Sequence, residues 1–161
     1  MKIRTDFVTN SSSSSFILGF KSESSIKDEL KDSFDSEMLF NQVYGDVRSA
    51  KRLNQEDAIN EIREQMKWDA QWVARERKER EDRSNGILAP RRDYWDWEES
   101  EEGIAETQKI LDEYVEQAKK KMEDRSVFVE VEYEDHSTIG SALEHNVMPY
   151  HPNTIVCISH H

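Results

Sequence analysis

The chain has 161 residues, long enough for one domain with its own core, and 34 Asp and Glu against 22 Lys and Arg give it a formal net charge of −12. Such an excess of negative charge repels a phosphate backbone, so direct nucleic-acid binding is not expected, and no run approaches the ~18 apolar residues that a membrane-spanning helix needs. One cysteine, Cys157, excludes an intramolecular disulfide framework and fits a reducing compartment, and the opening Met1-Lys2-Ile3-Arg4 lacks the apolar stretch of a secretory signal. A cytoplasmic protein is expected, without a standard catalytic motif to name its chemistry.

Residues 1–50 open with Phe7-Val8-Thr9-Asn10, five serines and Phe16-Ile17-Leu18-Gly19-Phe20, which reads as a short buried strand. Asn10, Ser11, Ser12, Ser13, Ser14 and Ser15 have three readings: a loop of hydroxyls and backbone donors for an anion or ligand, a modification target, or a polar turn. Ser24 or Ser25 caps a helix start with Asp28 and Glu29 in the first turn, and a second short helix carries Met38, Leu39 and Val43 up to Gly45.

Residues 51–125 are the helical part. Asn54 caps, and Ile59, Ile62, Met66, Ala70 and Val73 recur at spacings of three and four as one buried stripe. Arg75 to Arg83 is a solvated, mixed-charge extension, Asn85-Gly86 ends it, and Pro90 is expected to keep the chain out of a new helix. A second stripe comes next at Ile104, Leu111, Tyr114 or Val115, Ala118 and Met122, closed by Lys119-Lys120-Lys121. Two helices joined by a loop of about a dozen residues read as an antiparallel hairpin. That loop carries Trp95 and Trp97, and Asp93, Asp96, Glu98, Glu99, Glu101, Glu102 and Glu106 stand with no base among them. The tryptophans either fold onto the hairpin as core or, with the carboxylates, form a patch for a host protein with a basic surface.

Residues 126–161 change again. Val127, Val129 and Val131 alternate with Phe128, Glu130 and Glu132 as a strand, Ser141 to His145 makes a helical turn or two, and Thr154 to Ile158 forms a buried strand. All five histidines lie here with five carboxylates and no Lys or Arg. Imidazole and carboxylate without a competing cation suit a divalent metal, zinc foremost, and His136, Glu144, His145, His160 and His161 are the candidate ligands. His151, beside Pro152, is expected on a loop outside that set. Cys157 reads as a small hydrophobe in its strand, with a nucleophile paired to His160 as the alternative.

The opening Phe7-Val8-Thr9-Asn10-Ser11-Ser12-Ser13-Ser14-Ser15-Phe16 and the ending Gly140-Ser141-Ala142-Leu143-Glu144-His145 … Ile158-Ser159-His160-His161 resemble the two ends of a group of short bacterial and phage proteins with no established activity. The resemblance covers about 40 residues. It implies a shared architecture, a phage or mobile-element context in a bacterial host cell, and termini that meet in one site. The expected fold is α+β: a small sheet of the N- and C-terminal strands, with residues 51–125 inserted as the helical hairpin of a single domain.

Overall fold

A computed structural model describes residues 13–160, and for His160 only the backbone. Asn10, Ser11, Ser12 and His161 lie outside the described residues. The architecture is α+β, as the sequence implies. Contacts divide the chain into two compact units, one made of the described residues up to Leu53 with those from Arg125 onward, the other Asn54–Asp124. These boundaries fall within three residues of the breaks in composition.

The first unit is built on a four-stranded antiparallel sheet in the order β2-β3-β1-β4, from β1 (Ser13–Phe20), β2 (Arg52–Leu53), β3 (Val127–Glu134) and β4 (Thr154–His160). The terminal strands are neighbours: Ser14 stands opposite Ser159 and Phe16 opposite Cys157, with a register shift after Ile17. Side-chain alternation puts Phe16, Leu18 and Phe20 on one face, beside Val131, Val129 and Val127 of β3. That face is covered by α1 (Ile26–Ser33) and α2 (Glu37–Ser49), which bury the one-turn pairs Ile26/Leu30 and Val43/Val47, and by Leu143 and Met148. Ser22, rather than Ser24 or Ser25, makes the reciprocal cap ahead of α1, and α2 runs through Gly45 instead of stopping there. Ser13, Ser14 and Ser15 belong to β1 and not to a loop, because pairing with β3 and β4 extends that far.

The second unit holds α3 (Gln55–Gln65), α4 (Lys67–Ser84), α5 (Arg91–Glu98) and α6 (Glu101–Met122). Asn54 caps α3 by accepting the Asp57 N–H at 2.7 Å. The buried stripe is Ala58, Ile62, Met66, Ala70 and Ala74, at strict steps of four, while Ile59 and Val73 are only half-buried. Steps of four drift about 40° each around a straight helix of 3.6 residues per turn, too much for five residues to share one face. The helix is interrupted at Met66, which divides that stripe between α3 and α4.

Pro90 does not block a helix; it precedes α5, where the missing N–H is not needed by the first turn. Trp95 and Trp97 therefore sit on a helix. Ser100 Oγ accepts the Gly103 N–H at 3.1 Å to start α6, and a side chain at Gly103 would stand 2.2 Å from the Trp97 carbonyl oxygen, so only glycine allows this approach of α5. Thr107, Ile110, Leu111, Val115, Ala118 and Met122 form the buried face of α6, and Ile104 is 59% exposed, off the stripe the sequence assigns it to.

Candidate functional site

The first unit holds two polar clusters, one part-buried and one buried, and they differ in how completely their hydrogen bonds are made. At one end of β1, Glu29 Oε1 accepts from Ser25 Oγ (2.6 Å) and Lys21 N (3.0 Å), and Oε2 from Asn153 Nδ2 (2.6 Å). Burial alone would raise this carboxyl, but those three donors and the charge of Arg125 outweigh it and hold Glu29 below its ordinary range. Asn153 Nδ2 also reaches the Gly19 carbonyl (2.9 Å), which Arg125 Nη1 bonds at 2.7 Å. This network ties the ends of the strands together and is satisfied throughout.

Beside it, His151 is 6% exposed and stacked on Phe34 with ring centroids 4.9 Å apart. Its Nδ1 accepts the Asn153 N–H at 3.2 Å, while Nε2 is buried without a partner. Burial, helped by the nearby Arg125 charge, pushes the imidazole down to about 4. His151 lies on a loop, as the sequence has it, but the loop turns its side chain inward, buried and neutral.

The other end of β1 is not satisfied. After β3, Ser137 Oγ accepts the Gly140 N–H at 2.9 Å and starts α7 (Thr138–Ala142), and a side chain at Gly140 would meet the Glu134 carbonyl oxygen at 2.1 Å. The helix continues as a π turn over Leu143–Val147, a geometry that recurs at functional sites. This turn buries Leu143 in the core and carries Glu144 under the sheet, its side chain 1% exposed. Ser14 Oγ donates to Glu144 Oε1 at 3.1 Å across 130 residues of sequence. Oε2 has no hydrogen bond and lies 3.4 Å from Nε2 of His145, whose ring is half exposed. A buried acceptor left unsatisfied costs about 1–3 kcal/mol, more when charged.

The nominated ligands do not all gather there. His136 instead faces Glu134, Nε2 to Oε2 at 3.0 Å, with both side chains exposed. His160 stands opposite Ser13, and Ser13 opposite Glu134, a row of the sheet one residue removed from Ser14. Among the described residues no three His, Cys, Asp or Glu side chains converge as a metal group. Cys157 is half-buried and packs against the core cluster, as a small hydrophobe does. Ser14 and Ser15 are 4% exposed, which removes them from a solvent-facing anion loop.

In the second unit the acidic strip is partly neutralised from within. Glu98 accepts from Arg75 at 2.7 Å, Glu106 lies 3.7 Å from Arg77, and Trp97 Nε1 donates to Glu102 at 3.1 Å. Asp93, Asp96, Glu99 and Glu101 remain exposed, as does Trp95 at 57%. Beside them lies a groove of about 540 Å³, lined by Lys67 and Gln71 of α4, Glu99, and Ile104, Thr107 and Leu111 of α6.

A comparison with models of known families finds no match, and neither does a comparison with curated proteins or with solved structures. No helix among the described residues is long and apolar enough to cross a membrane.

Proposed function

We propose that this protein binds a divalent metal ion, zinc foremost, between Glu144 and His145, as a small cytoplasmic accessory protein of phage or mobile-element type. The observation that carries the reading is the unsatisfied Oε2 of buried Glu144 with an imidazole nitrogen 3.4 Å away. Two ligands at ~2.0–2.2 Å from a zinc ion and at a tetrahedral angle stand about 3.4 Å apart, the separation of these two atoms. Ser14, by donating to Oε1, fixes the carboxylate and leaves Oε2 as the ligand, the supporting role that partners of metal ligands take. Water would complete the coordination.

Metal analysis of the full chain, purified without a polyhistidine tag, tests this. About one equivalent of metal is expected, lost in Glu144→Gln and in His145→Ala, with a lower melting temperature under chelator. No metal, and melting indifferent to chelator, would remove the reading.

A second reading, a host protein with a basic surface as partner, is favoured by the exposure of Trp95 beside four exposed carboxylates. Such binding should weaken steeply with salt, since exposed charges are screened over ~8–10 Å.

A further inference from the structure

Six large apolar side chains of the second unit are exposed. Three of them, Trp68 (63%), Trp72 (43%) and Ile104 (59%), lie on α4 and α6, two helices that line the groove, while Ile87, Leu88 and Trp95 lie outside those helices. Trp68 and Trp72 are one helical turn apart, so they share one stripe of α4, and each directly succeeds a residue of the groove, Lys67 and Gln71. Ile104 and Leu111, two turns apart on α6, give the groove its apolar surface. An exposed isoleucine in a cleft of this size, with two exposed tryptophans on the next stripe of one of its helices, marks a candidate binding surface, and tryptophan is a common anchor.

Charge then selects the occupant. Within the unit, 21 Asp and Glu stand against 13 Lys and Arg. The one arginine that lines the groove, Arg63, is occupied by Asp112 at 2.9 Å, and Glu98 of the lining is held by Arg75 at 2.7 Å, which leaves Lys67 as the remaining cation of the lining. Of the lining side chains, Glu64 and Glu99 have no basic partner among the described residues, and Asp93, Asp96 and Glu101 extend the negative surface beyond them. We propose that the groove is the docking site for an amphipathic helix of a partner protein, with an apolar stripe flanked by lysines or arginines. Side chains of that stripe at i, i+3 or i+4 would enter beside Ile104 and Leu111, and the flanking cations would meet Glu64 and Glu99. The proposal rests on the reading of a basic partner and moves its anchor from Trp95 and Trp97 to the groove.

All four tryptophans belong to this unit, so their fluorescence reports on it directly. The test titrates the full chain with an 18-residue Leu/Lys amphipathic peptide and with a Leu/Glu peptide of the same apolar stripe. The Leu/Lys peptide should bind at least ten-fold tighter than the Leu/Glu peptide. Ile104→Asp and Glu99→Lys, both at exposed positions, should each weaken it, Ile104→Asp by ten-fold or more, while Met38→Asp, an exposed apolar side chain of the other unit, should leave it unchanged. Salt-sensitive binding that ignores Ile104→Asp would overturn the groove and leave the basic-partner reading standing. Absence of binding by the Leu/Lys peptide, or equal binding of both peptides, would overturn both.

Discussion

His151 gives the structure its most direct handle on pH. Its imidazole, at about 4 in the folded chain against 6.5 for an ordinary histidine, is held neutral by burial and by Arg125. The unfolded chain takes up a proton near pH 6.5 and the folded chain only near pH 4, so between these values the unfolded state binds more protons. The stabilisation is therefore complete above about pH 6.5 and is lost as pH falls through the window towards 4. At 1.36 kcal/mol per pH unit, the loss amounts to about 3 kcal/mol, a large share of a small domain's stability. The comparison is with His151→Asn, which keeps an acceptor for the Asn153 N–H and cannot titrate. Urea unfolding monitored by far-ultraviolet circular dichroism, at steps from about pH 7.5 to 4, gives both stability curves; tryptophan fluorescence would miss this unit altogether. The other titrating groups cancel in the difference between the two proteins, which should narrow by about 3 kcal/mol as pH falls. Curves that stay parallel within about 0.5 kcal/mol would refute the burial of a neutral imidazole.

Two further outcomes test the helical unit. Gly103→Ala should destabilise by about 1–3 kcal/mol, because the new methyl has only backbone to displace at the Trp97 carbonyl; an unchanged urea midpoint would show that α5 does not approach α6 this closely. Met66→Asp, at the buried junction between α3 and α4, should lower the melting temperature by several degrees through an unpaired carboxylate, and melting within a degree of the parent would place Met66 in solvent.

Local signals decided how much of the fold was legible in the sequence. The period-two valines of β3, the apolar run of β4 and the Asn54 cap are written in neighbouring residues, and the structure has each where the pattern puts it. The α+β class came from them. The misses needed information that neighbours do not carry. Ile104 matches the helical spacing of Leu111 as well as Thr107 does, and only the position of the packing partner decides which of the two is buried. Pro90 suits the end of one helix or the start of another, and Arg91 to Glu98, rich in charge, gave no apolar stripe to announce a helix. Ser13 to Ser15 have the composition of a turn, and only pairing with β3 and β4, more than a hundred residues away, extends the strand through them.

The same distance hid the site. Its histidine neighbour marks Glu144 as a candidate ligand, but nothing near it in sequence names Ser14, and nothing near Glu29 names Asn153. Once folded, the two carboxylates can be judged by one criterion. Glu29 receives three donors on its two oxygens, so its negative charge is already compensated and a ligand could add little. Glu144 is the more deeply buried of the pair yet receives one donor on one oxygen, and the half-exposed imidazole of His145 stands 3.4 Å from the other. A buried carboxylate costs least when something positive closes its open side, either His145 itself or a metal ion held by both. The choice between them has a readout that needs no knowledge of the reaction. If His145 alone closes it, replacing Glu144 by glutamine removes a buried carboxylate and should leave or raise stability in the presence of chelator and in its absence. If the two hold a metal, the parent should be the more stable protein until chelator is added, and the order should then reverse.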